Sequence, residues 1–112
     1  MIDPVKISNA LSHPIRYKIM LMLVNHYHRE TKQCCFVNIE GVCNCEIMAE
    51  FGMIQSRVSY HMKELTKAEL VIEKPCGKWK YYIPNIVTIK RYIYQLGLDL
   101  DIHATDSDTN KN

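Results

Sequence analysis

The chain has 112 residues, 47% of them apolar, which is enough for one small globular domain. Domains of this size often gain core by dimerising. No apolar run is long enough to cross a membrane, and the first residues do not resemble a signal peptide. We therefore expect a cytoplasmic protein with no membrane partner. The net charge of +2 is too small to indicate nucleic-acid binding by itself.

Charge is nevertheless unevenly distributed along the chain. Residues 54–82 contain six cationic and three acidic side chains, a net charge of +3. The segment from Asp99 onward carries a net charge of −3 and is otherwise polar, so we expect residues 99–112 to form a disordered acidic tail. The basic segment is the part suited to an anionic partner.

The first residues predict two helices. Asp3 and Pro4 suit the N-cap and the first position of a short helix. Pro14 suits the first turn of a second helix, whose many apolar residues indicate that the core covers it. On this second helix, we expect Arg16 and Lys18 to face solvent or phosphate rather than to act in catalysis.

Residues 26–42 contain two histidines, His26 and His28, and two adjacent cysteines, Cys34 and Cys35. Several apolar residues give this segment some strand character, so we expect a hairpin or a long loop, and long loops tend to be functional or mobile. His26 and His28 alternate along an expected extended segment. They could join a zinc site with the cysteines, although solvated loop histidines are the simpler interpretation.

Residues 44–65 predict a helix-turn-helix. A first helix over residues 44–51 ends at Gly52, which permits a sharp turn. The second helix has an apolar stripe at helical spacing, formed by Ile54, Val58, Met62 and Leu65. Its outer face presents hydrogen-bonding and cationic groups of the kind that major-groove recognition requires. An ordinary amphipathic surface helix is the alternative. The predicted DNA-contacting residues on this helix are Gln55, Ser56, Arg57, Ser59, Tyr60, His61 and Lys63.

Residues 71–84 predict a β-hairpin with its turn at residues 75–78. Its second strand alternates between a bulky face and a largely basic and polar face, the latter formed by Lys78, Lys80 and Tyr82. A basic hairpin that follows a helix-turn-helix is typical of a winged helix. We expect Lys78 and Lys80, together with Lys63, to contact phosphate.

Asn85 can cap a final helix, whose apolar stripe is Ile86, Ile89, Ile93 and Leu96. Such a stripe at the edge of a small domain needs a partner, and a second copy of the chain supplies one most simply. We therefore expect a homodimer. Residues 1–98 then form one domain for DNA binding and dimerisation, with an insert at about 26–42.

Five cysteines in a chain without export signals indicate thiolate chemistry or burial rather than a disulfide framework. If Asn44 is an N-cap, Cys43 lies in extended chain and Cys45 in the first helical turn. Both sulfurs can then meet at a helix N-terminus, which favours thiolate. Sulfur ligands select soft ions such as As(III), Sb(III), Cu(I), Cd(II) or Zn(II). Burial without an ion is the alternative, and Cys76 is expected to be an incidental thiol.

The chain resembles the ArsR/SmtB winged-helix repressors over about residues 3–98, interrupted by the insert. The resemblance implies a mainly α fold with a small β-hairpin, a dimeric winged helix-turn-helix that binds a palindromic operator. Arsenic- and cadmium-responsive members carry Cys-x-Cys-x-x-Cys at the start of the first helix of this motif. Cys43 and Cys45 match its first two positions, whereas Met48 stands at the third. The matching blocks are residues 11–23, 43–48, 55–65, 68–71 and 77–82.

The resemblance implies a repressor that an ion releases from double-stranded operator DNA, with As(III) or Sb(III) favoured and Cd(II) or Zn(II) as other inducers. No cofactor is expected for DNA binding itself. Cys34, Cys35 or a partner subunit could supply a third ligand. A winged-helix regulator that senses thiol redox state or no small inducer is one alternative, and a protein-interaction module that uses the insert is another. Enzyme motifs such as a Gly-rich phosphate loop are missing from the sequence, so an enzyme is not expected.

Overall fold

The structure is a computed structural model that describes residues 2–29 and 40–102. Within these residues the chain forms five helices and three short strands, and their order is that of a winged helix-turn-helix. The elements are α1 (Pro4–Leu11), α2 (Pro14–Tyr27), β1 (Val42–Cys43), α3 (Asn44–Phe51), α4 (Gln55–Lys67), β2 (Val71–Cys76), β3 (Trp79–Pro84) and α5 (Ile86–Asp99).

The starts of α1, α2 and α5 follow from local chemistry. The Asp3 carboxylate accepts hydrogen bonds from the Val5 and Lys6 amides at 3.1 and 3.4 Å, which satisfies two N–H groups that have no partner within the helix. Pro14 occupies the first position of α2. The Asn85 side chain accepts from the Thr88 amide at the start of α5. All three predicted starts are confirmed.

At the end of α2, the structure differs from the extended segment that was expected for His26 and His28. His26 lies in the last turn of α2 and His28 is its C-cap, so these two histidines are helical rather than extended. At the other end of the insert, Val42 begins β1. Cys34 and Cys35 lie outside the described residues, as does most of the insert.

The three strands form one antiparallel sheet in the order β1-β3-β2. Strands β2 and β3 make the predicted hairpin, which turns through Gly77 at a positive φ of 62°. Strand β1 was not predicted as part of the sheet. Its residues Val42 and Cys43 pair with Tyr82 and Tyr81 of β3, so β3 is the central strand.

The hydrophobic core lies between this sheet and the packed faces of α1 to α4. Tyr82 belongs to this core and is 2% exposed, so its predicted position on a basic, polar face is wrong. Tyr82 and the adjacent Tyr81 point to opposite faces of β3, and both are buried because β3 is the central strand and α2 and α3 pack against it. Burial and the neighbouring Glu73 carboxylate raise the pKa of the Tyr82 hydroxyl above its ordinary value. The largest fully buried aliphatic residues are Ile7, Ile19, Leu23, Ile47, Met62, Leu65 and Leu70.

Helix α5 packs on α1 but leaves much of its apolar surface uncovered. The Ser8 hydroxyl and the Tyr92 hydroxyl lie 2.7 Å apart and join the two helices. Ile93 and Tyr94 are 63% and 68% exposed, and Val5 of α1 is 75% exposed. Among the described residues, no helix is long and apolar enough to span a bilayer.

Candidate nucleic-acid interface and thiol pair

The helix-turn-helix consists of α3, a tight turn and α4. Gly52 adopts the left-handed conformation that ends α3, and the Met53 amide donates to the Met48 carbonyl at 3.1 Å. Helix α4 then packs on the core through an apolar stripe. Ile54, predicted as the first residue of that stripe, is instead the extended N-cap of α4 and is 69% exposed. The buried members of the stripe are Val58, Met62 and Leu65.

The outer face of α4 presents most of the predicted DNA-contacting side chains to solvent. The exposed residues of this face are Gln55, Ser56, Arg57, Ser59, Tyr60 and Lys63. The side chain of the N-cap residue Ile54 makes no capping hydrogen bond. The hairpin of β2 and β3, residues 71–84, is the wing. On the wing, Lys78 and Lys80 are exposed, and the Lys80 ammonium lies 3.4 Å from the Glu73 carboxylate. An exposed ion pair of this kind contributes only about 0–1 kcal/mol, so Lys80 is able to exchange Glu73 for a phosphate.

His61 was predicted to lie on this outer face, but it does not. Its side chain is 3% exposed, and its Nδ1 accepts a hydrogen bond of 3.1 Å from Nε of Arg16 on α2. Arg16 itself is 6% exposed, so the prediction that it faces solvent or phosphate is also wrong. Its guanidinium carbon lies 5.5 Å from the centroid of the Tyr60 ring. Arg16 therefore links α2 to two neighbouring residues of α4.

The bond from Arg16 requires a neutral imidazole, because a protonated Nδ1 cannot accept. Burial lowers the pKa of His61 below 6.5, and the positive charges of Arg16, His13 and Arg57 lower it further. The His13 ring packs against His61 at 5.3 Å in an edge-on arrangement. One sequence signal for this burial was available, since residue 61 follows Val58 by three positions and borders the apolar stripe.

The two cysteines of the Cys43-Asn44-Cys45 segment meet at the start of α3. Cys43 is the N-cap, with extended backbone, and Cys45 is in the first turn. Their Sγ atoms lie 2.7 Å apart, and the Cys45 amide donates to Cys43 Sγ at 3.4 Å. The Glu46 carboxylate accepts from the Cys43 amide at 3.2 Å, which completes a capping box. The expectation that Asn44 is the N-cap is wrong by one residue, but the structure does bring the sulfurs together.

The described residues supply two sulfurs to this site and no complete ion-binding cluster. Cys43 is fully buried, whereas Cys45 is partly exposed. No group of three His, Cys, Asp or Glu side chains suited to a metal ion occurs in residues 2–29 and 40–102. Cys76 lies on the wing, at the end of β2 next to the turn. Both predicted further ligands, Cys34 and Cys35, fall outside the described range.

Comparison with known protein families matches residues 13–73, from the start of α2 into β2, to the family described as "Bacterial regulatory protein, arsR family". The chain belongs to this ArsR family. The match covers more than half of the sequence and includes the entire helix-turn-helix, the Arg16–His61 contact and the thiol pair. The resemblance to ArsR/SmtB regulators is thereby confirmed, and this is a family of regulators rather than of enzymes.

Two relatives from Halobacterium salinarum are named as candidate repressors of arsenical resistance operons. They are 28% identical over 88 residues and 30% identical over 78 residues, covering 79% and 70% of this chain. The arsenical resistance operon repressor of Bacillus subtilis is 40% identical over 43 residues, or 38% of this chain. The chain spans 64%, 51% and 41%, respectively, of the lengths of these three relatives.

A solved structure shows the same fold. It is the crystal structure of a possible transcriptional regulator for arsenical resistance, with a TM-score of 0.61 and 19% sequence identity. The alignment covers 96% of this chain and 95% of that one. A mainly helical winged helix-turn-helix with a small antiparallel sheet is thus confirmed.

The Arg16–His61 contact predicts a pH-dependent stability. The folded state favours neutral His61, whereas the unfolded chain takes up a proton near pH 6.5. Stability should therefore fall as the pH drops below 6.5, by at most about 1.4 kcal/mol per pH unit from this residue, until the lowered pKa is reached. His61→Asn keeps an acceptor near the position of Nδ1 but does not titrate in this range.

Urea unfolding at pH 7.5 and 5.5, at one protein concentration, measures this effect. The wild type should lose more free energy of unfolding than His61→Asn between the two pH values. A matched variant at an exposed histidine, His28→Gln, should lose as much as the wild type. Equal losses in the wild type and His61→Asn would contradict the predicted coupling.

Proposed function

We propose that this protein is a homodimeric transcriptional repressor that binds operator DNA and leaves it when a thiolate-seeking ion binds Cys43 and Cys45. The observation that carries the proposal is the 2.7 Å approach of the two sulfurs at the start of α3, the first helix of the DNA-binding motif. A ligand at the sulfurs thus acts directly on the motif that meets DNA. A cytoplasmic location fits this role.

The exposed face of α4 supports binding to duplex DNA. Hydroxyl, amide and guanidinium groups on this face suit the edges of bases in the major groove, with Arg57 able to make the bidentate contact to guanine. The uncapped N-terminus of α4 leaves amide groups that favour phosphate, and the wing adds Lys78 and Lys80 on the same motif. His61 is left out of this contact set because it is buried.

The uncovered apolar surface of α5 and α1 supports dimerisation. Side chains such as Ile93 and Tyr94 are mostly exposed within one chain, and their burial in a second copy would remove a large apolar area from water. Two copies related by a twofold axis present two α4 helices to successive major grooves of a palindrome, about one helical turn apart.

The chemistry of the thiol pair supports a soft ion as inducer. Sulfurs that share one ion at ~2.3 Å each lie roughly 3 to 4 Å apart, a spacing that the two neighbouring sulfurs at the start of α3 can adopt. As(III) suits a small set of thiolates without imidazole, and three relatives are named for arsenical resistance. Sb(III), Cd(II) and Zn(II) are the other ions to test. Cys34 or Cys35 is proposed as the third ligand.

Substitutions on α4 and the wing should separate base recognition from phosphate contact. Arg57→Ala and Tyr60→Ala should weaken operator binding more than binding to random duplex, by about 1–3 kcal/mol for a base-contacting residue. Lys80→Ala should weaken both alike and lower the salt slope by roughly one at most. Fluorescence anisotropy with both duplexes over a salt series measures this. Equal wild-type affinity for operator and random duplex would argue against a sequence-specific repressor.

The dimer should depend on α5. Ile93→Asp places a charge in the proposed interface but on a side chain that is 63% exposed in one chain, so it should give folded monomer. Ile72→Asp, on the exposed side of the wing, is the matched control and should remain dimeric. Sedimentation velocity at micromolar concentration measures both. A folded wild-type monomer under these conditions would rule out an obligate dimer.

Release from DNA should depend on the thiol pair. Reduced Cys43→Ser and Cys45→Ser should still bind operator, since neither thiol lies among the DNA-contacting groups, but should need at least tenfold more arsenite for release. Cys76→Ser should behave as wild type. Titrations with arsenite, antimonite, Cd(II) and Zn(II) identify the inducer. If the Cys43→Ser/Cys45→Ser variant releases at wild-type concentrations, these cysteines are structural, and a redox-sensing or inducer-free regulator replaces this proposal.

A further inference from the structure

Asn44 joins the thiol pair to the wing. It stands between the two cysteines in sequence, is 5% exposed, and its Oδ1 accepts a hydrogen bond of 3.2 Å from the backbone amide of Lys80. Cys43 Sγ also lies 3.6 Å from the same oxygen. One amide oxygen therefore touches a sulfur of the proposed sensor and the backbone of the wing residue expected to contact phosphate.

The preceding residue strengthens this link. Cys43 belongs to β1 and is the cross-strand partner of Tyr81 in β3, next to Lys80. Directly paired residues of antiparallel strands share one face of the sheet and contact each other. A displacement of Cys43 therefore also displaces β3, the second strand of the wing. The sensor segment is thus attached to β3 by the strand pairing of β1 and by the Asn44 side chain.

We infer that Asn44 is a positioning residue that transmits ion binding at Cys43 and Cys45 to the wing through the Lys80 amide. The inference rests on the proposed function and adds the wing to the path of induction. When Cys43 binds an ion as a thiolate, it loses the S–H proton that it donates to Asn44 Oδ1, so the Asn44 side chain must reorient. The acceptor oxygen then moves relative to the Lys80 amide. The end of β3 that carries Lys80, and the adjoining turn that carries Lys78, change their position beside the DNA.

The wing is the element that can change conformation at the lowest free-energy cost. Helix α3 is anchored by Ile47 in the core and by its capping box, whereas Gly77 and Lys78 at the wing tip are exposed. Structural elements with few buried contacts change conformation at lower free-energy cost than core helices. The wing residues that carry the phosphate contacts are therefore the part of the interface that a small change at Asn44 can move.

Trp79 is a direct reporter of this response, because it is the one tryptophan in the sequence and adjoins Lys80. Cys76 is its cross-strand partner, and any arsenite at this thiol would change the indole emission directly, so the experiment uses Cys76→Ser as the parent protein. Asn44→Leu removes the acceptor at similar volume, and Asn44→Asp keeps an acceptor oxygen. Arsenite binding is measured by native mass spectrometry, wing response by Trp79 emission, and operator release by anisotropy on the full-length reduced protein.

In the parent protein, Trp79 emission should change over the arsenite concentrations at which the ion binds and the operator is released. Asn44→Leu should still bind arsenite, but its Trp79 response should be lost. Its ratio of operator affinities without and with arsenite should fall about fivefold or more, and Asn44→Asp should restore much of it. Each variant is compared with its own affinity in the absence of arsenite.

Two results would overturn the inference alone: bound arsenite that releases operator from the parent without changing Trp79 emission, or a wild-type affinity ratio in folded Asn44→Leu. The first needs no Asn44 variant and holds even if Asn44→Leu does not fold. Failure of the parent to bind arsenite, Sb(III), Cd(II) or Zn(II) would instead overturn the proposed function, and this inference with it.

Discussion

The antiparallel pairing of Val42 and Cys43 with Tyr82 and Tyr81 determines where the thiol pair lies. This two-residue strand brings the chain from the insert to the central strand of the sheet. It ends at the residue that caps α3, so Cys43 is both the last residue of a strand and the N-cap of a helix. The thiol pair, the helix-turn-helix and the wing therefore meet at one corner of the fold.

The rotation of helix α4 about its own axis is the second constraint. The helix must pack one face on the core and leave its polar face open to DNA. Three fully buried apolar residues fix one face, and the Arg16–His61 bond fixes its border against α2. A polar contact of this kind is directional, so it specifies the rotation of the helix more narrowly than apolar burial does. The exposed groups of α4 are thus held at a defined angle to α2 and the core.

Much of the fold could be predicted because it depends on local signals. The Asp3 cap, the Gly52 turn and the hairpin around Gly77 each require particular residues at particular positions, and each prediction is confirmed. The approach of the two sulfurs was also predicted, since it follows from the geometry of a helix start. Only the identity of the cap was wrong, because Cys43 accepts the amide hydrogen bond in place of the adjacent asparagine.

The buried Arg16–His61 contact, the pairing of β1 and the burial of Tyr82 were missed because they depend on contacts between residues far apart in sequence. Arg16 and His61 are 45 positions apart, and the pairing of β1 with β3 joins residues about as distant. A two-residue strand is too short to show a period, and a buried arginine looks like a solvated one until its acceptor is known. Tyr82 was misplaced for the same reason, because the strand and helices that cover it come from elsewhere in the chain.

Amide hydrogen exchange at Lys80 tests most directly whether Asn44 joins the thiol pair to the wing. The Lys80 amide donates to Asn44 Oδ1, so its exchange rate reports whether that bond is formed. In reduced, isotopically labelled protein, arsenite should accelerate exchange at Lys80 while core amides such as that of Ile19 keep their rates. An unchanged Lys80 rate in protein that has bound arsenite and released its operator would contradict the account.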